Sequence, residues 1–345
     1  MRTASSPTMH TASSACHKSH PVQPVDLSVV IVSYNTRELL ARCLSSLTSS
    51  IRSVSCEVIV VDNDSRDGTV AMLRTRWPDV RLIATGGNLG FGRAANKGLA
   101  LAEGRYCLLL NSDTECLHGA LDELVAFLDS TPQAGVAAPR LLNSDGTDQA
   151  TARAFPSPAA GIFGRKSLLT RLFPNNRWSA RYLVGKDRPG PEPFDVDWVS
   201  GAALMVRREI IERVGPLDPA FFLYWEDADW CRRIGSAGHG IYCVPRAQVI
   251  HQEGGSGIAG SPRLVLAFHQ SVYHYYVKHH AQKWWNPLRP LAAVLLFARA
   301  VSLMLVVYPL RARGGDESAP SIDTVSRGVA ASVGERAPAA VAVVR

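Results

Sequence analysis

The chain has 345 residues, of which 46% are hydrophobic and 19% charged, so its composition excludes a disordered or collagen-like protein. Its 37 Lys and Arg and 30 Asp and Glu give a formal net charge of +7. Seven cysteines without a C-x-x-C pair favour neither a disulfide scaffold nor a zinc module, and they are typical of a reducing compartment.

The two ends of the chain differ in composition from its centre. Residues 1–24 are rich in Ser, Thr, His and Pro, which predicts a disordered arm. They contain no apolar run of the kind that a secretory signal requires. Residues 313–345 predict a second disordered segment, the C-terminal tail.

Strand and helix patterns alternate after the arm. Strands are predicted at 27–34, 56–63, 80–85 and 105–113, and the first two are continuous β-branched runs. Helices are predicted from Arg37 to about Leu47, after the turn Ser65–Thr69 through Arg74, and within 86–102, with Thr36 as the first N-cap. This order predicts an α/β fold with a Rossmann-like, mostly parallel sheet flanked by helices.

Polar clusters follow three of these strands. They are Ser33-Tyr34-Asn35, Asp62-Asn63-Asp64 and Asn111-Ser112-Asp113-Thr114-Glu115. Because a parallel sheet binds ligands beyond the carboxyl ends of its strands, the clusters predict one site. Asp113 and Glu115 offer hard oxygen ligands that suit Mg²⁺ or Mn²⁺ on a substrate diphosphate. The first strand is not followed by a glycine-rich loop, which disfavours a dinucleotide-binding or nucleotidyltransferase site.

Six motifs in this order resemble those of family 2 glycosyltransferases of the GT-A fold. They are VVIVSYN, VIVVDNDSRDGT, NLGFGRAANKGL, LLLNSDTE, the run from VSGAALM to WCRRI, and HQEGGS. The chain resembles in particular the bacterial rhamnosyltransferases of cell-envelope polysaccharide synthesis, which act on polyprenyl-diphosphate-linked acceptors. The resemblance implies a GT-A domain at 25–260, an NDP-sugar donor and a Mg²⁺ or Mn²⁺ cofactor.

The resemblance also implies residue roles. Asp62 accepts a hydrogen bond from the pyrimidine NH, Asp113 matches the last carboxylate of a D-x-D metal motif, and Asn111 replaces its first. His251 matches a second metal ligand of some relatives, and Glu115 assists through water. The full set expected to bind the nucleotide-sugar is Ser33, Tyr34, Asn35, Asp62, Asp64, Asn88, Gly90, Arg93, Asn96, Ser112, Asp113, Gly201 and Ala202.

Trp225-Glu226-Asp227 resembles the family's E-D motif, in which the aspartate is the catalytic base. Asp227 is expected to deprotonate the acceptor hydroxyl as it attacks C1 of the sugar, with inversion, and to stay ionised at a helix N-terminus. Trp225, Glu226 and Trp198 are expected to contact the acceptor. Asp229 is expected to form a surface ion pair with Arg232 or Arg233.

Simpler roles stay open for several of these residues. Asp62, Asn63 and Asp64 are also typical turn residues. Asp113 and Glu115 are also typical of a helix cap. His251 is also consistent with a buried, hydrogen-bonded histidine, Arg93 with a surface ion pair, and the tryptophans with core or interface packing.

Residues 261–312 combine basic and aromatic side chains with an apolar run, Leu291–Val307, and Asp and Glu are absent from 261–315. This pattern predicts a helical segment that docks on an anionic membrane. A core helix or a homo-oligomer contact is the first alternative. Membrane spanning is disfavoured because Pro290 and Pro309 bracket only 18 residues with Arg299 among them. Nucleic acid is excluded as a partner because the run is too apolar.

The sequence therefore predicts a metal-dependent, inverting glycosyltransferase with dTDP-L-rhamnose as the preferred donor and a lipid-linked or cell-envelope glycan as acceptor. It is expected in the cytoplasm, peripheral on the inner face of the cell membrane. The alternative is a non-catalytic NDP-sugar-binding partner in a polysaccharide assembly complex.

Overall fold

The computed structural model describes residues 25–155, 190–252 and 262–307. The predicted arm at 1–24, the tail at 313–345 and the end of the HQEGGS motif lie outside the described residues. The strands are β1 (Leu27–Ser33), β2 (Cys56–Asp62), β3 (Arg81–Ala84), β4 (Tyr106–Asn111), β5 (Thr114–Cys116), β6 (Ala134–Leu142), β7 (Phe194–Val196), β8 (Ala203–Arg207) and β9 (Gly240–His251). The helices are α1 (Arg37–Ser50), α2 (Thr69–Arg76), α3 (Phe91–Leu99), α4 (Ala120–Ser130), α5 (Arg208–Val214), α6 (Glu226–Ser236), α7 (Pro262–His279) and α8 (Leu288–Ser302).

The first four strands form a parallel array in the order β3-β2-β1-β4. Most β-branched and leucine side chains of β1, β2 and β4 are buried because helices cover both faces, whereas Leu82 and Ile83 of the edge strand β3 are half-buried. The register places Ser33 opposite Asp62 and Val32 opposite Asn111. The predicted strands are therefore confirmed, and the three polar clusters begin at one edge of the sheet.

The rest of the sheet is mixed. Its order continues β4-β8-β6-β9-β5, and β7 also pairs with β9. β8 is antiparallel to both β4 and β6, so the continuous parallel array ends at β4, and β6 then pairs with β9 in parallel. The Asn111 N–H donates to the Ala202 carbonyl oxygen at 2.9 Å, which brings the loop before β8 to the end of β4.

α3 packs tightly on β1 and β2. A Cβ at Gly98 would lie 2.4 Å from Cγ1 of Val30 and 3.2 Å from Cγ2 of Val61. The opposite face of β1, which includes Val29 and Ile31, packs in one apolar core with side chains of α1, α2 and α4. Helices therefore flank both faces of the sheet, as predicted.

The chain divides into two compact units, Met1–Leu217 with Asp227–Glu253 and Asp218–Glu226 with Gly254–Arg345. The second unit thus includes a segment that the sequence assigned to the catalytic domain. This segment joins α7 through aromatic and polar contacts. The Trp225 ring lies 5.0 Å from that of Tyr275, and Lys278 Nζ lies 2.6 Å from a carboxylate oxygen of Asp218.

The second unit contains an apolar helix with little burial. Among the described residues, one helical stretch, Leu288–Leu305, is long and apolar enough to cross a membrane by length and composition alone. Its 18 residues have a mean hydropathy of 1.8, and 6% of the stretch is buried.

Candidate functional site

Hydroxyl groups connect the ends of β1 and β4. The Thr36 hydroxyl lies 3.0 Å from that of Ser33 and 2.8 Å from that of Ser112, and all three side chains are buried. Thr36 occupies the N-cap position of α1, but its side chain makes no capping bond among the described residues. The Thr36 hydroxyl therefore does not cap α1 as predicted, because it contacts the hydroxyls of Ser33 and Ser112 instead. Asp67 accepts the Arg37 N–H at 2.8 Å.

Asp62, at the end of β2, presents one unsatisfied oxygen. Its Oδ2 accepts the Ser65 N–H at 3.1 Å. Its Oδ1 is buried and has no hydrogen-bond partner among the described residues. A buried acceptor without a donor costs ~1–3 kcal/mol. This oxygen is therefore well placed to accept an N–H from a ligand at the sheet edge.

The loop that opens α3 is fixed to the β2 end by Asn63, whose side chain is 3% exposed. Asn63 Oδ1 accepts the Leu89 N–H at 2.9 Å, and its Nδ2 donates to Asn88 Oδ1 at 3.2 Å. Asn88 Oδ1 also accepts the Gly90 N–H at 3.0 Å. Asn88 and Gly90 thus lie beside Asn63, the neighbour of Asp62 in the chain, and the side-chain oxygen of Asn88 is engaged in shaping the loop.

The turn after β1 is held against the turn after β2. Asn35, with a left-handed φ of 53°, donates its N–H to Ser65 Oγ at 2.9 Å, and its Oδ1 accepts the Arg66 N–H at 2.8 Å. Asp64 is also left-handed and lies 4.0 Å from the largely exposed Arg66 guanidinium. Tyr34, between these turns, is half-buried.

Two predicted residues lie on α3 with different surroundings. Arg93 is exposed. Asn96 Nδ2 donates to the Leu217 carbonyl oxygen at 2.7 Å, and its Oδ1 accepts the Leu217 N–H at 3.0 Å. Asn96 therefore ties α3 to a distant chain segment, and its expected contact with a nucleotide stays a prediction.

Asp113 and His251 form a pair where β5 meets β9. Their side chains are 14% and 12% exposed, and Asp113 Oδ1 lies 3.4 Å from His251 Nε2. The Gln252 N–H donates to the Asp113 carbonyl oxygen at 2.9 Å, which fixes the two segments together. A carboxylate oxygen and an imidazole nitrogen at this separation are a donor set that fits a divalent cation.

Glu115 lies apart from this pair. Its carboxylate is 3.4 Å from Arg42 Nε and accepts from Gln252 Nε2 at 3.2 Å. In the described part of the chain, no group of three His, Cys, Asp or Glu side chains is arranged to hold a metal. The predicted set of Asp113, Glu115 and His251 is thus not assembled, because Glu115 turns towards Arg42.

Asp227 lies at the start of α6 beside the loop before β8. Its Oδ2 accepts the Gly201 N–H at 3.0 Å, and its Oδ1 accepts the Ala228 N–H at 2.8 Å. Burial raises the pKa of Asp227, while these two N–H groups and the positive charge of Arg153 oppose the rise. From the sequence, the helix N-terminus is expected to stabilise the negative charge of Asp227. In the structure, the cost of burying that charge is the larger effect, so the pKa rises.

Asp229 has a different surrounding from the one expected. It does pair with Arg233, whose Nε lies 2.9 Å from its Oδ2, but Asp229 is fully buried. Arg233 also donates to the carbonyl oxygens of Val214 and Pro216. The predicted surface pair is in fact a buried one that fastens α6 to the segment after α5.

The predicted acceptor residues are largely enclosed. Trp198 is 6% exposed, its Nε1 donates to the Ala154 carbonyl oxygen at 3.0 Å, and the Arg153 guanidinium lies 5.0 Å from its ring centroid. Trp198 thus packs against neighbouring groups, and its expected contact with an acceptor sugar stays a prediction. Glu226 is buried. Trp225 and Tyr224 both have left-handed backbones, a strained arrangement for bulky residues just before Asp227.

Sequence reasoning missed Gln149 and Arg153. Gln149 contacts His251, which is 102 residues away, and Arg153 acts on Asp227 through its charge. The stretch NSDGTDQ shows a turn before Gln149, but its spacing does not indicate which strand the side chain will meet.

The chain is similar to known glycosyltransferases. A model of the family described as Glycosyl transferase family 2 matches residues 28–215. An N-acetylglucosaminyl-diphospho-decaprenol L-rhamnosyltransferase of Mycobacterium tuberculosis is 34% identical over 275 residues, 76% of this chain and 88% of the relative. A dTDP-rhamnosyl transferase of Shigella flexneri is 23% identical over 73% of this chain and 77% of its own length.

A solved structure shares the fold. The crystal structure of GalNAc-T7 with UDP, GalNAc and Mn²⁺ matches 85% of this chain with a TM-score of 0.54 and 16% identity. The match spans 58% of that longer chain.

Proposed function

The chain belongs to glycosyl transferase family 2 and has the GT-A fold, and we propose that it transfers L-rhamnose from dTDP-L-rhamnose to a polyprenyl-diphosphate-linked acceptor. The observation that carries the proposal is Asp227, a carboxylate held by two N–H groups beside the sheet edge that carries Asp62 and Asp113. The names of the Mycobacterium and Shigella relatives support the donor and the acceptor class.

Asp62 supports a pyrimidine nucleotide. The N3–H of thymine or uracil is a donor that matches the buried, unpartnered Oδ1 of Asp62. Binding would remove the cost of leaving this oxygen unsatisfied. Thymine and uracil share this group, so Asp62 explains the choice of a pyrimidine but not of the sugar.

Asp113 and His251 would hold the cation. Divalent Mg²⁺ and Mn²⁺ commonly take one or two protein ligands together with substrate phosphates, which is consistent with a pair rather than a cage. The imidazole favours Mn²⁺ over Mg²⁺, which prefers oxygen ligands. When bound, such a cation supplies positive charge that stabilises a leaving diphosphate.

Asp227 would act as the general base. Each of its oxygens accepts one N–H, and an ionised carboxylate keeps further lone pairs that can accept the proton of an acceptor hydroxyl. The hydroxyl oxygen then forms a bond to C1 of rhamnose, the bond from C1 to the diphosphate oxygen breaks, and its electron pair leaves with dTDP. The raised pKa makes the carboxylate a stronger base near neutral pH.

Release of nucleoside diphosphate tests this proposal. The assay compares dTDP-L-rhamnose with UDP- and GDP-sugars, with Mn²⁺ or Mg²⁺, in the presence and absence of a GlcNAc-diphosphopolyprenol analogue. Release from dTDP-L-rhamnose that requires both acceptor and metal is the expected result. Release from another donor overturns the choice of sugar. Nucleotide binding without turnover of any donor overturns catalysis in favour of the non-catalytic binding partner.

We also propose that α8 holds the protein on an anionic membrane. Arg299, the charge near the centre of the apolar run, contacts the imidazole of the buried His269 on α7, with Nη1 and Nε2 3.0 Å apart. Large apolar side chains elsewhere on α8 remain exposed, namely Leu288, Leu291, Val294, Leu295 and Phe297. An apolar face beside a helix–helix contact suits a helix lying in the membrane plane.

The surrounding residues match an anionic surface. Residues 262–307 contain five Lys and Arg and no Asp or Glu. Trp284 and Trp285 are 82% and 61% exposed, and Lys283 Nζ lies 5.3 Å from the Trp285 ring centroid. Tryptophan and lysine together are typical of the headgroup region. This location, on the inner face of the cell membrane, would bring the enzyme to a lipid-linked acceptor.

A further inference from the structure

Gln149 contacts His251 at two points. It is 1% exposed and follows β6, with its own N–H donated to the Leu141 carbonyl oxygen at 2.9 Å. Its Nε2 donates to the His251 carbonyl oxygen at 2.7 Å, and its Oε1 lies 3.0 Å from His251 Nδ1. One amide group therefore engages both the backbone and the ring of the same histidine.

The backbone contact fixes which way the amide faces. A carbonyl oxygen only accepts hydrogen bonds, so the Gln149 atom 2.7 Å from the His251 carbonyl must be the NH₂ group. The other atom, Oε1, is then an acceptor directed at Nδ1. Nδ1 must therefore carry the hydrogen.

This tautomer determines what His251 presents to Asp113. With the proton on Nδ1, neutral His251 has a lone pair on Nε2, which lies 3.4 Å from the Asp113 Oδ1. Two acceptors facing each other repel unless a proton or a cation lies between them. Nε2 is also the atom through which a neutral imidazole of this tautomer binds a metal.

We infer that Gln149 is a positioning residue that holds His251 in its Nδ1–H tautomer, so that Nε2 and Asp113 bind a divalent cation together. This inference rests on the proposed metal site. It adds a residue that acts on the cation through His251. Partners of this kind orient a ligand and typically change metal affinity about 10–100-fold when removed.

Titration of Mn²⁺ in the presence of dTDP, followed by the electron paramagnetic resonance of free Mn²⁺, measures the effect without turnover. Gln149→Met should weaken Mn²⁺ binding about 10–100-fold. Gln149→Glu keeps an oxygen that can accept the Nδ1–H of His251, so it should weaken Mn²⁺ binding less than Gln149→Met does. Thr147→Val alters the same turn, where Thr147 contacts Asn143 and Asp145, and should leave Mn²⁺ affinity unchanged.

The nitrogen NMR signals of ¹⁵N-histidine test the tautomer itself, above the pKa of imidazole. His251 should be in the Nδ1–H form in the wild type and in Gln149→Glu, and shift towards the Nε2–H form in Gln149→Met. A wild-type protein with His251 in the Nε2–H form, or unchanged Mn²⁺ affinity in folded Gln149→Met, overturns the inference.

His251→Ala distinguishes failure of the proposed metal site from failure of the role of Gln149. If both His251→Ala and Gln149→Met leave Mn²⁺ affinity unchanged, the proposed metal site is wrong. If His251→Ala weakens Mn²⁺ binding and Gln149→Met does not, only the role of Gln149 is wrong.

Discussion

Two aspartates on α6, Asp227 and Asp229, differ in the groups that surround their carboxylates. In the described part of the chain, Asp227 accepts backbone N–H groups from Gly201 and Ala228 and keeps lone pairs for a substrate. Asp229 is buried against Arg233 and serves the fold. Sequence spacing indicated that Asp229 has an arginine partner, but it could not show that the pair is buried.

Asp229→Asn should destabilise the protein more than Asp227→Asn. Removing one partner of a buried ion pair leaves an uncompensated charge and costs about 3 kcal/mol. Chemical denaturation of both variants beside the wild type measures the difference. An Asp229→Asn variant with the free energy of unfolding of the wild type would show that the pair of Asp229 and Arg233 contributes no net stability.

The transferase activity should be lost as the pH decreases. A general base must be ionised, so turnover is complete above the pKa of Asp227 and falls as the pH decreases through it. Burial places that pKa above the ordinary 3.8, so the acid limb of kcat/KM should lie above this value. Arg153→Met removes a positive charge that favours the carboxylate and should move the limb to higher pH. A limb at the ordinary value, unmoved in Arg153→Met, would contradict this assignment.

At the scale of elements, local patterns predicted the parallel strands and their helices well. β1, β2 and β4 are buried apolar runs whose ends carry polar residues, and this signal lies within each segment. The antiparallel β8 and the pairing of α3 with Leu217 could not be predicted in this way. They depend on contacts between residues far apart, such as Asn96 and Leu217, 121 positions away.

The residues of the candidate site likewise fall into those that a local pattern indicates and those that depend on contacts far apart in the chain. Asp62, Asp113 and Asp227 stand in local motifs, from which the sequence predicts their roles. Gln149 was missed because its importance arises only when its turn folds back onto β9. Trp198 was assigned to the acceptor because its residue type suits stacking on a sugar, whereas the fold buries it.

The close contact of α3 with the sheet gives a testable requirement for glycine. Gly98→Ala places a methyl group 2.4 Å from a Val30 side-chain carbon and should cost ~1–3 kcal/mol through overpacking. Gly87→Ala is the matched control, because a Cβ there meets nothing within 4 Å. Thermal unfolding compares the two. A Gly98→Ala variant as stable as Gly87→Ala would show that α3 has room to move.

At the scale of the whole molecule, the basic excess and the exposed apolar helix belong to the same C-terminal segment. Sedimentation with phosphatidylglycerol vesicles should therefore detect binding that weakens in high salt. Leu295→Glu, at a 60% exposed position of α8, should reduce it strongly. Leu101→Glu, at a 38% exposed position in the first unit, is the control and should not.

The same experiment separates docking from spanning. Lys283→Gln should lower vesicle partitioning about fivefold, since a basic residue near an anionic surface contributes ~1 kcal/mol. A protein that resists both high salt and alkaline extraction would contradict in-plane docking and favour a spanning helix. A protein that never binds vesicles would favour a contact between protein copies.

Transfer of labelled rhamnose from dTDP-L-rhamnose to a GlcNAc-diphosphopolyprenol analogue tests the central claim most directly, with wild type and Asp227→Asn compared at saturating donor. Loss of the general base should lower kcat by about 10²–10⁴. Donor binding should stay within twofold, about 0.4 kcal/mol, because Asp227 is not expected to hold the nucleotide. Transfer by Asp227→Asn at the wild-type rate would contradict the assigned base and the mechanism built on it.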